Sequence, residues 1–374
     1  PVAMTDEPDT ATYALQSGRA SAMPAPRLAY LPPKPHTYRP RIGLIGAGGI
    51  AASHLDAYRS AGWEVVAICN RTRDKAAAKA AEYFPKARVS ADAADILGDA
   101  SIDVVDITPH PADRLELMHA ALKAGKHVLS QKPFVLDLDE GARLADLAEA
   151  RGLKLAVNQN GRWAPHLSWM REAVRAGHIG DLVSCHASIH WNHGWIAGTP
   201  FERIEDLILY DFGIHWFDFI ASLVGDRAET VFATSSHAPG QTAKVPLLAN
   251  AVIQLAQGGH ASLTFDGGVP YGARDTTFVA GSHGSLQSDG PDLGQQSVTL
   301  TTSDGRAVPE LQGSWFNDGF AGAMGALLVA IETGGEPANG ARENLASLAM
   351  AFAAIASRRT GRVVPVGSVR RVEI

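Results

Sequence analysis

Residues 43–54, GLIGAGGIAASH, place a glycine-rich turn between a short apolar run and a helical pattern. Gly46, Gly48 and Ala51 stand at the three fixed positions of a G-x-G-x-x-A motif. In such a turn the first glycine permits a tight bend, the second lets a pyrophosphate approach the backbone, and the small third residue lets the helix pack on the strand. The free amides at the helix start then bind phosphate. A glycine-rich turn without a ligand is the alternative, but the motif predicts cofactor contacts at Gly46, Gly48, Gly49 and Ile50.

Outward from this turn, apolar runs alternate with helical patterns as far as about residue 160. The runs that follow are WEVVAIC (63–69), VVDITP (104–109), HVLSQKP (127–133) and LKLAVNQN (153–160). Apolar strands that alternate with helices are typical of a parallel sheet covered by helices on both faces. The pattern therefore predicts an α/β fold, a doubly wound Rossmann domain, over residues 41–160.

The pattern of apolar and polar residues changes after about residue 180. Segments such as LVSCHASIHW (182–191) and GHASLTFDG (259–267) alternate between apolar and polar residues, with Gly and Asp at the turns. Such segments are typical of antiparallel strands. We therefore predict a second, α+β domain over residues 161–374, with a large open and mostly antiparallel sheet. This domain would bind substrate and assemble the chain into a homodimer or homotetramer.

The first 40 residues are rich in Pro, Ala and Ser and show no helical or strand period. They lack the basic start and apolar core of a secretory signal. We expect residues 1–40 to form an extended arm that packs on its own or on a neighbouring subunit. A flexible leader is the alternative.

Composition limits the classes of partner. The formal net charge is −6 and no long basic run is present, which argues against nucleic acid or an anionic membrane as a partner. No apolar run approaches the roughly 18 residues that span a bilayer. The chain has two cysteines, Cys69 and Cys185, too few for a disulfide framework or a metal cluster. We therefore expect a cytoplasmic protein without a metal.

The end of the second apolar run bears on the choice of cofactor. Rossmann domains place an Asp or Glu about 20 residues after the glycine turn, where it binds the ribose hydroxyls of NAD. This chain has Asn70 followed by Arg71. Asn can still hydrogen-bond a ribose hydroxyl, whereas the absence of a carboxylate and the presence of Arg71 would tolerate a 2′-phosphate. We expect NAD, with NADP as the alternative.

A nearly all-apolar helix is predicted over residues 206–225, DLILYDFGIHWFDFIASLVG. Its polar side chains Asp211, His215, Asp218 and Ser222 follow at steps of 4, 3 and 4, so they would share one helix face. Asp211 would contact His215 and raise the affinity of the imidazole for a proton. An imidazole held in this way is a general base for an alcohol. The alternative is a structural Asp–His pair, and we expect Asp218 and Ser222 to be structural.

A lysine directly before a proline ends the predicted strand HVLSQKP, in VLSQKPF (128–134). With the dinucleotide turn and the Asp-x-x-x-His helix, it makes residues 41–374 similar to the glucose-fructose oxidoreductase / inositol dehydrogenase / MocA-like family. The resemblance implies an NAD(P)-dependent dehydrogenase with three catalytic residues. Lys132 would bind the reacting oxygen, His215 would take the hydroxyl proton, and Asp211 would hold His215. Gln131 departs from the Glu of the family, which removes a negative charge beside the lysine.

The resemblance also implies a reaction. We expect oxidation of an aldose at its anomeric carbon to a lactone or aldonate, with D-apiose as the leading candidate. Oxidation of a ring hydroxyl of a hexoside or inositol is one alternative, and a non-catalytic dinucleotide-binding regulator is another. The expected partner is a small sugar or polyol.

Residues near the predicted strand ends complete the expected site, because ligands of parallel α/β sheets bind outside the carboxyl ends of the strands. Amides and indoles suit neutral hydroxyl groups, although packing is the alternative role of the tryptophans. Further cofactor contacts are expected from Thr108, Pro109, His110, Gln131, Lys132 and Asn160. Substrate contacts are expected from Lys132, Asn158, Gln159, Arg162, Trp163, His190, Trp191, Trp195, Asp211 and His215.

Overall fold

The computed structural model describes residues 20–374 of the chain. Parallel strands form the first sheet: β1 (Arg41–Ile45), β2 (Glu64–Cys69), β3 (Arg88–Ser90), β4 (Val104–Ile107), β5 (His127–Ser130) and β6 (Leu155–Val157). Their spatial order is β3-β2-β1-β4-β5-β6, so the direction of winding reverses between β1 and β4. Such a switch point opens a crevice at the carboxyl ends of the two strands, where doubly wound folds bind ligands.

The helices that connect these strands are α1 (Ala51–Ala61), α2 (Arg73–Tyr83), α3 (Ala94–Leu97), α4 (Pro111–Lys123) and α5 (Leu138–Ala150). Neighbouring residues of a strand face different cores: Leu44 packs with α1 on one face of the sheet and Ile45 packs on the other. Apolar cover on both faces explains the uninterrupted apolar runs of the sequence. The predicted doubly wound parallel sheet is confirmed, although the short strand β3 is not among the predicted runs.

The strands of the second sheet are β7 (Leu182–His190), β8 (Ala228–Ser236), β9 (Leu248–Leu255), β10 (His260–Asp266), β11 (Arg274–Gly281), β12 (Gly284–Gly290), β13 (Ser297–Thr302), β14 (Gly305–Ala307) and β15 (Val364–Pro365). Their order is β14-β13-β12-β11-β7-β10-β9-β8-β15. β7 and β10 pair in parallel and the other neighbours pair antiparallel. The predicted open, mostly antiparallel sheet is confirmed.

The remaining α-helices are α6 (Pro165–Arg175), α7 (Ile214–Val224), α8 (Asp318–Thr333) and α9 (Ala341–Thr360). α7 and α9 cover one face of the second sheet. In contrast, α8 packs on the first sheet, where Phe320 and Met324 share a core with Leu44 and Leu55. The chain therefore returns to the first sheet long after the boundary predicted near residue 160. Of the helices within residues 20–374, none is long and apolar enough to cross a membrane.

The single helix predicted over residues 206–225 is interrupted. Residues Ile208–Phe212 form a π-helical turn, and α7 begins only at Ile214. The amide of Gly213 donates to the carbonyl of Ile208, five residues earlier, at 2.6 Å. A Cβ at Gly213 would also lie 2.6 Å from that carbonyl oxygen, so the turn requires glycine. A π turn changes the phase of the helix, and residues on either side no longer follow the α-helical spacing.

The described part of the predicted N-terminal arm packs on its own chain. Ala22 forms a parallel bridge with Arg306 at the edge of the second sheet. Farther along, the carboxylate of Glu332 on α8 accepts the backbone amides of His36, Thr37 and Tyr38. These hydrogen bonds lower the pKa of Glu332 to about 2. Residues 1–19 of the predicted arm lie outside the described residues.

Candidate active site

The turn between β1 and α1 has the geometry that its glycine motif predicts. Gly46 has a φ of +104°, and a Cβ there would lie 2.4 Å from Thr108 Oγ1, so the position requires glycine. A Cβ at Gly48 or Gly49 would meet no described protein atom within 4 Å. The space in front of α1 is therefore free for phosphate groups, beside the first amides of the helix.

A cavity of about 530 Å³ opens at the carboxyl ends of β1, β2 and β4. Its volume lies in the range of small-molecule sites. The predicted cofactor residues in its lining are Gly46, Gly48, Asn70, Arg71, Thr108, Pro109 and His110. The predicted cofactor residues outside its lining are Gly49, Ile50, Gln131, Lys132 and Asn160. The cavity and the glycine turn together fit the adenosine and pyrophosphate parts of a dinucleotide.

The Asn70 side chain lines this cavity and also has two contacts inside the protein, while its expected ribose contact stays a prediction. Its Oδ1 accepts the amide of Ala47 at 3.0 Å, and its Nδ2 donates to the carbonyl of Thr72 at 3.0 Å. Asn70 therefore holds the glycine turn against the end of β2. Next to it, Arg71 lies 3.4 Å from Asp113, a carboxylate at the cavity rim that the sequence patterns do not single out. The position of Asp113 in the first turn of α4, just after β4, is the sequence signal that could have indicated a cofactor contact.

Lys132 follows β5 and reaches the π-helical turn. Its Nζ donates to the backbone oxygen of Asp211 at 2.9 Å and to Oδ2 of the same residue at 3.3 Å. Both side chains are largely buried. Within residues 20–374 no hydrogen bond joins Asp211 to His215, so the expected Asp–His contact is wrong. The π turn is the physical reason, because it removes the α-helical phase on which the contact depends.

His215 lies in a pocket of aromatic and glycine residues. Its ring centroid is 5.1 Å from that of Trp315, and a Cβ at Gly161 would lie 3.2 Å from its Nδ1. This nitrogen is buried and has no hydrogen-bond partner in the described part of the chain. Burial first, and then the positive charge of Lys132, hold the pKa of His215 well below its usual value. The expected rise in proton affinity is therefore reversed, and the imidazole is neutral.

Family comparisons match both parts of the molecule. Residues 40–159 match the model of an oxidoreductase family with an NAD-binding Rossmann fold, and residues 167–287 match the GFO/IDH/MocA C-terminal domain. The chain belongs to the GFO/IDH/MocA oxidoreductase family. It is an NAD(P)-dependent oxidoreductase that acts on CH–OH groups, in a family of sugar and polyol dehydrogenases. The resemblance inferred from the sequence motifs is confirmed.

Similar proteins cover most of this GFO/IDH/MocA chain. A D-apiose dehydrogenase of Paraburkholderia graminis is 29% identical over 343 residues, which are 87% of this chain and 89% of that protein. An inositol 2-dehydrogenase of Rhizobium meliloti is 27% identical over 334 residues, 87% of this chain and 99% of that protein. A solved oxidoreductase from Agrobacterium radiobacter, in complex with NAD+, L-tartaric acid and magnesium, superposes with a TM-score of 0.79 at 22% identity. That match covers 88% of this chain and 99% of that one, and it shows the shared fold.

Arg162 binds inside the protein in this GFO/IDH/MocA enzyme and not to substrate as expected. It is 3% exposed, and its guanidinium donates to Asp218 at 2.8 and 3.0 Å. It also donates to the carbonyl of Ala338. Trp163 is likewise buried, and a Cβ at Gly322 would lie 2.3 Å from its indole. The expected substrate contacts of Arg162 and Trp163 are wrong, because long-range partners already occupy both side chains.

The three amides after β6 also have internal partners. Nδ2 of Asn158 donates to Oε1 of Gln131 at 2.8 Å, and Nε2 of Gln159 donates to the carbonyl of Ile214 at 3.3 Å. Oδ1 of Asn160 accepts the indole N–H of Trp315 at 2.6 Å. Trp315, which the sequence patterns do not single out, therefore links the strand end to His215. The side-chain nitrogens of Asn158 and Gln159 therefore bind within the protein, whereas the buried Oδ1 of Asn158 and Oε1 of Gln159 have no partner among residues 20–374.

Aromatic side chains cluster beside the π turn of the GFO/IDH/MocA enzyme. Trp191 stacks on His193 with 5.7 Å between ring centroids and meets Trp216 edge-on at 5.8 Å. Trp195 is 56% exposed and lies 6.1 Å from Phe212 in the turn. Trp191 and Trp195 thus belong to one aromatic cluster that His193 and Phe212 connect, and their contact with substrate stays a prediction.

His190 lies on the other side of the second sheet. It alternates with Ile189, which is buried under the helices, and it contacts Ser188 Oγ at 2.8 Å on its own face. Its ring also lies 3.7 Å from the carboxylate of Asp266. Since successive side chains of a strand point to opposite faces, His190 faces away from α7 and His215. The expected substrate contact of His190 is therefore wrong.

Proposed function

We propose that the protein oxidises an aldose at its anomeric carbon with NAD, and that D-apiose is the first sugar to test. The observation that carries this proposal is the approach of Lys132 to Asp211, with Nζ 2.9 Å from the backbone oxygen, and a neutral, partly buried His215 four residues later. An ammonium group and a neutral imidazole are the acid and base that alcohol oxidation needs. The similarity to a D-apiose dehydrogenase supports the choice of sugar.

The proposed base is His215. A neutral imidazole keeps one unprotonated ring nitrogen. Nδ1 is buried beside Gly161, so Nε2 is the nitrogen that we propose to accept the proton of a substrate hydroxyl. A positioned general base accelerates such a step by about 10²–10⁴-fold.

The proposed role of Lys132 is to bind the reacting oxygen. An ammonium group has three N–H donors, and Asp211 accepts two of them through its backbone oxygen and Oδ2. The third donor can bind a substrate hydroxyl and stabilise its developing negative charge. Asp211 then fixes the lysine and not the histidine.

The dinucleotide, when bound, accepts the hydride from the substrate carbon. We infer a preference for NAD over NADP from the pair that Arg71 forms with Asp113 at 3.4 Å, because a carboxylate at the cavity rim repels a 2′-phosphate. Arg71 is 89% exposed, so its own attraction for phosphate is weakened by solvent.

A second candidate reaction is oxidation of a ring hydroxyl, as in an inositol. The 27% identity to an inositol 2-dehydrogenase over 87% of this chain favours it as the runner-up. An inositol has no anomeric carbon, so the two reactions give different products. A lactone, which hydrolyses to an aldonate, marks the first reaction and a ketone marks the second.

We also propose that the enzyme is a homo-oligomer assembled through the outer face of the second sheet. Phe232 and Val252 pair across β8 and β9 and are 41% and 49% exposed. Phe278 on β11 is 41% exposed on the same face. Light scattering of the protein and of Val252→Lys would test the assembly: a smaller species is expected for the variant, and a monomeric wild type contradicts the proposal.

The test of function is a substrate screen followed by product analysis. D-Apiose, common aldoses and inositols are incubated with NAD and NADP separately, and nicotinamide reduction is followed by absorbance. We expect reduction of NAD with an aldose, and loss of at least about 10²-fold in kcat for His215→Ala with cofactor affinity unchanged. Failure of every sugar, with NAD still bound, would contradict the proposed substrate class.

A further inference from the structure

A buried chain of hydrogen bonds lies between α1 and the first sheet. It starts at Asp106 on β4, which is fully buried. Oδ2 of this residue accepts the hydroxyl of Tyr58 at 2.6 Å and lies 2.7 Å from Nδ1 of His54. Tyr58 and His54 sit four residues apart on α1, one helical turn, so both reach the same carboxylate.

The chain of hydrogen bonds continues to the candidate catalytic lysine. Nδ2 of Asn158 lies 3.2 Å from Nε2 of His54 and donates to Oε1 of Gln131 at 2.8 Å. The same Oε1 accepts the backbone amide of Lys132 at 2.9 Å. Each of these side chains is buried, with Gln131 the most exposed at 6%. The path therefore connects a buried carboxylate to the backbone of Lys132 through direct contacts between protein groups.

The donors and acceptors of this path can be assigned in one consistent way. His54 donates from Nδ1 to Asp106, which leaves its Nε2 as an acceptor in the neutral ring. Asn158 has two amide hydrogens, and it gives one to His54 and one to Gln131. The oxygen of Gln131 then has its two acceptor positions filled, by Asn158 and by the Lys132 amide. Because each role fixes the next, the orientation of Gln131 depends on Asn158 and His54.

The path ends at Lys132, where the chain leaves β5. The amide of Gln131 donates to the carbonyl of Ile107 at 2.9 Å, the last sheet hydrogen bond of the strand. The next amide, that of Lys132, is held by the side chain of Gln131 instead of a neighbouring strand. From the other side, the buried Arg114 donates to the carbonyl oxygens of Pro133 and Pro109. The backbone of the lysine is thus clamped on both sides.

We propose that Asn158 and His54 are positioning residues that set the place of Lys132 through Gln131. This inference rests on the proposed role of Lys132 at the reacting oxygen. It replaces the expected contact of Asn158 with substrate, because both hydrogens of its amide are committed inside the protein. The proposal also gives Gln131 a role. Its Oε1 accepts the backbone amide of Lys132, at a position where the similar family has a Glu.

The first test measures the lysine amide directly and needs no substrate. Amide hydrogen exchange at Lys132 should be at least about tenfold faster in Gln131→Met and in Asn158→Leu, since both remove its support. Gln131→Glu keeps an acceptor oxygen at the same place, so its Lys132 amide should exchange as slowly as in the wild type. Equal exchange in Gln131→Met and wild type would overturn the inference, whether or not Asn158→Leu folds.

The second test is a kinetic double-mutant cycle. Asn158→Leu and Gln131→Met should each lower kcat by about 10–100-fold, because misplacing a catalytic group by an ångström has an effect of this size. The KM for NAD should stay within about twofold. If Asn158 acts through Gln131, the double variant should be no slower than the slower single variant. Independent, multiplying losses would mean that Asn158 contacts the substrate itself, and the inference would be wrong.

A matched control separates positioning from loss of stability. Asn344 is another buried amide, which contacts Asp218 at 3.4 Å, away from this path. Asn344→Leu should lower Tm but leave kcat and the exchange of the Lys132 amide unchanged. If the wild type oxidises no sugar, the proposed function fails, and the exchange experiment alone still decides whether the path supports the lysine.

Discussion

Lys132, which follows β5, contacts Asp211 in the π-helical turn. Nζ of the lysine lies 2.9 Å from the backbone oxygen and 3.3 Å from Oδ2 of the aspartate. The aspartate therefore contacts the lysine, and in the described part of the chain it makes no hydrogen bond to the histidine four residues later. This division makes the contributions of Asp211 and His215 separable by mutation.

The first prediction compares the loss of kcat when Asp211 or His215 is replaced. Asp211→Asn keeps the backbone contact and an acceptor oxygen, but it loses the charge, so kcat should fall by about tenfold. His215→Ala removes the base and should lower kcat by about 10²–10⁴-fold. Steady-state kinetics of both variants, with the exposed Asp226→Asn as control, measure this order. Equal losses would contradict it and favour an Asp–His unit.

The second prediction concerns the acid side of the pH profile. Burial, followed by the charge of Lys132, holds the pKa of His215 well below its usual value. A base is inactive when protonated, so lowering its pKa extends activity to lower pH. The acid limb of kcat/KM should therefore fall below pH 6.5, the usual histidine value. A limb at or above that pH would show that the imidazole titrates normally.

The third prediction uses the tight packing around the base. A Cβ at Gly161 would lie 2.9 Å from Trp315 and 3.2 Å from Nδ1 of His215. Gly161→Ala should displace one of these rings, destabilise the fold by about 1–3 kcal/mol and lower kcat. Gly294→Ala, where the nearest atom is 3.4 Å from the new Cβ, is the matched control. Wild-type kinetics in Gly161→Ala would show that the pocket can relax without moving His215.

The fourth prediction concerns stability against pH. Asp275 on β11 is fully buried, and burial, then the charge of Asp289, raises its pKa to about 7. A raised carboxyl pKa stabilises the fold below the unfolded pKa and loses that stability as pH rises through the folded pKa. At pH 8 the charged Asp275 should weaken the fold by up to about 4 kcal/mol, and Asp275→Asn should remove this loss.

Denaturant unfolding at pH 5 and pH 8 measures that difference. Asp275→Asn should gain more stability at pH 8 than at pH 5, while the exposed Asp304→Asn should change little at either pH. The same gain at both values would mean that Asp275 stays uncharged, or finds a partner, across this range.

The fifth prediction concerns the choice of dinucleotide. Asp113→Asn removes the carboxylate that lies 3.4 Å from Arg71, so the guanidinium becomes available to a 2′-phosphate. The ratio of kcat/KM for NADP to that for NAD should rise by about three- to tenfold, a modest factor because both groups are exposed. Arg71→Ala should move the ratio the other way. An unchanged ratio in both variants would place the 2′ position elsewhere.

Local sequence patterns predict much of the fold. The glycine turn around Gly46, the alternation of apolar runs with helices, and the later strand pattern predict both sheets, because these signals depend on residues close in sequence. The family resemblance, and not the period of any element, places Lys132, Asp211 and His215 in one expected site.

The partners of the polar side chains depend on the whole fold. Local patterns and the family resemblance predict a dinucleotide turn and a site that holds a lysine, an aspartate and a histidine. The folded structure shows that Asp211 holds Lys132, because one π turn changes the helix phase, and that Arg162 is bound by Asp218. It also decided that His190 faces away from the site, because the covered face of a strand is chosen by the helices that pack on it. These side-chain contacts depend on residues far apart in the chain, so local periodicity cannot predict them.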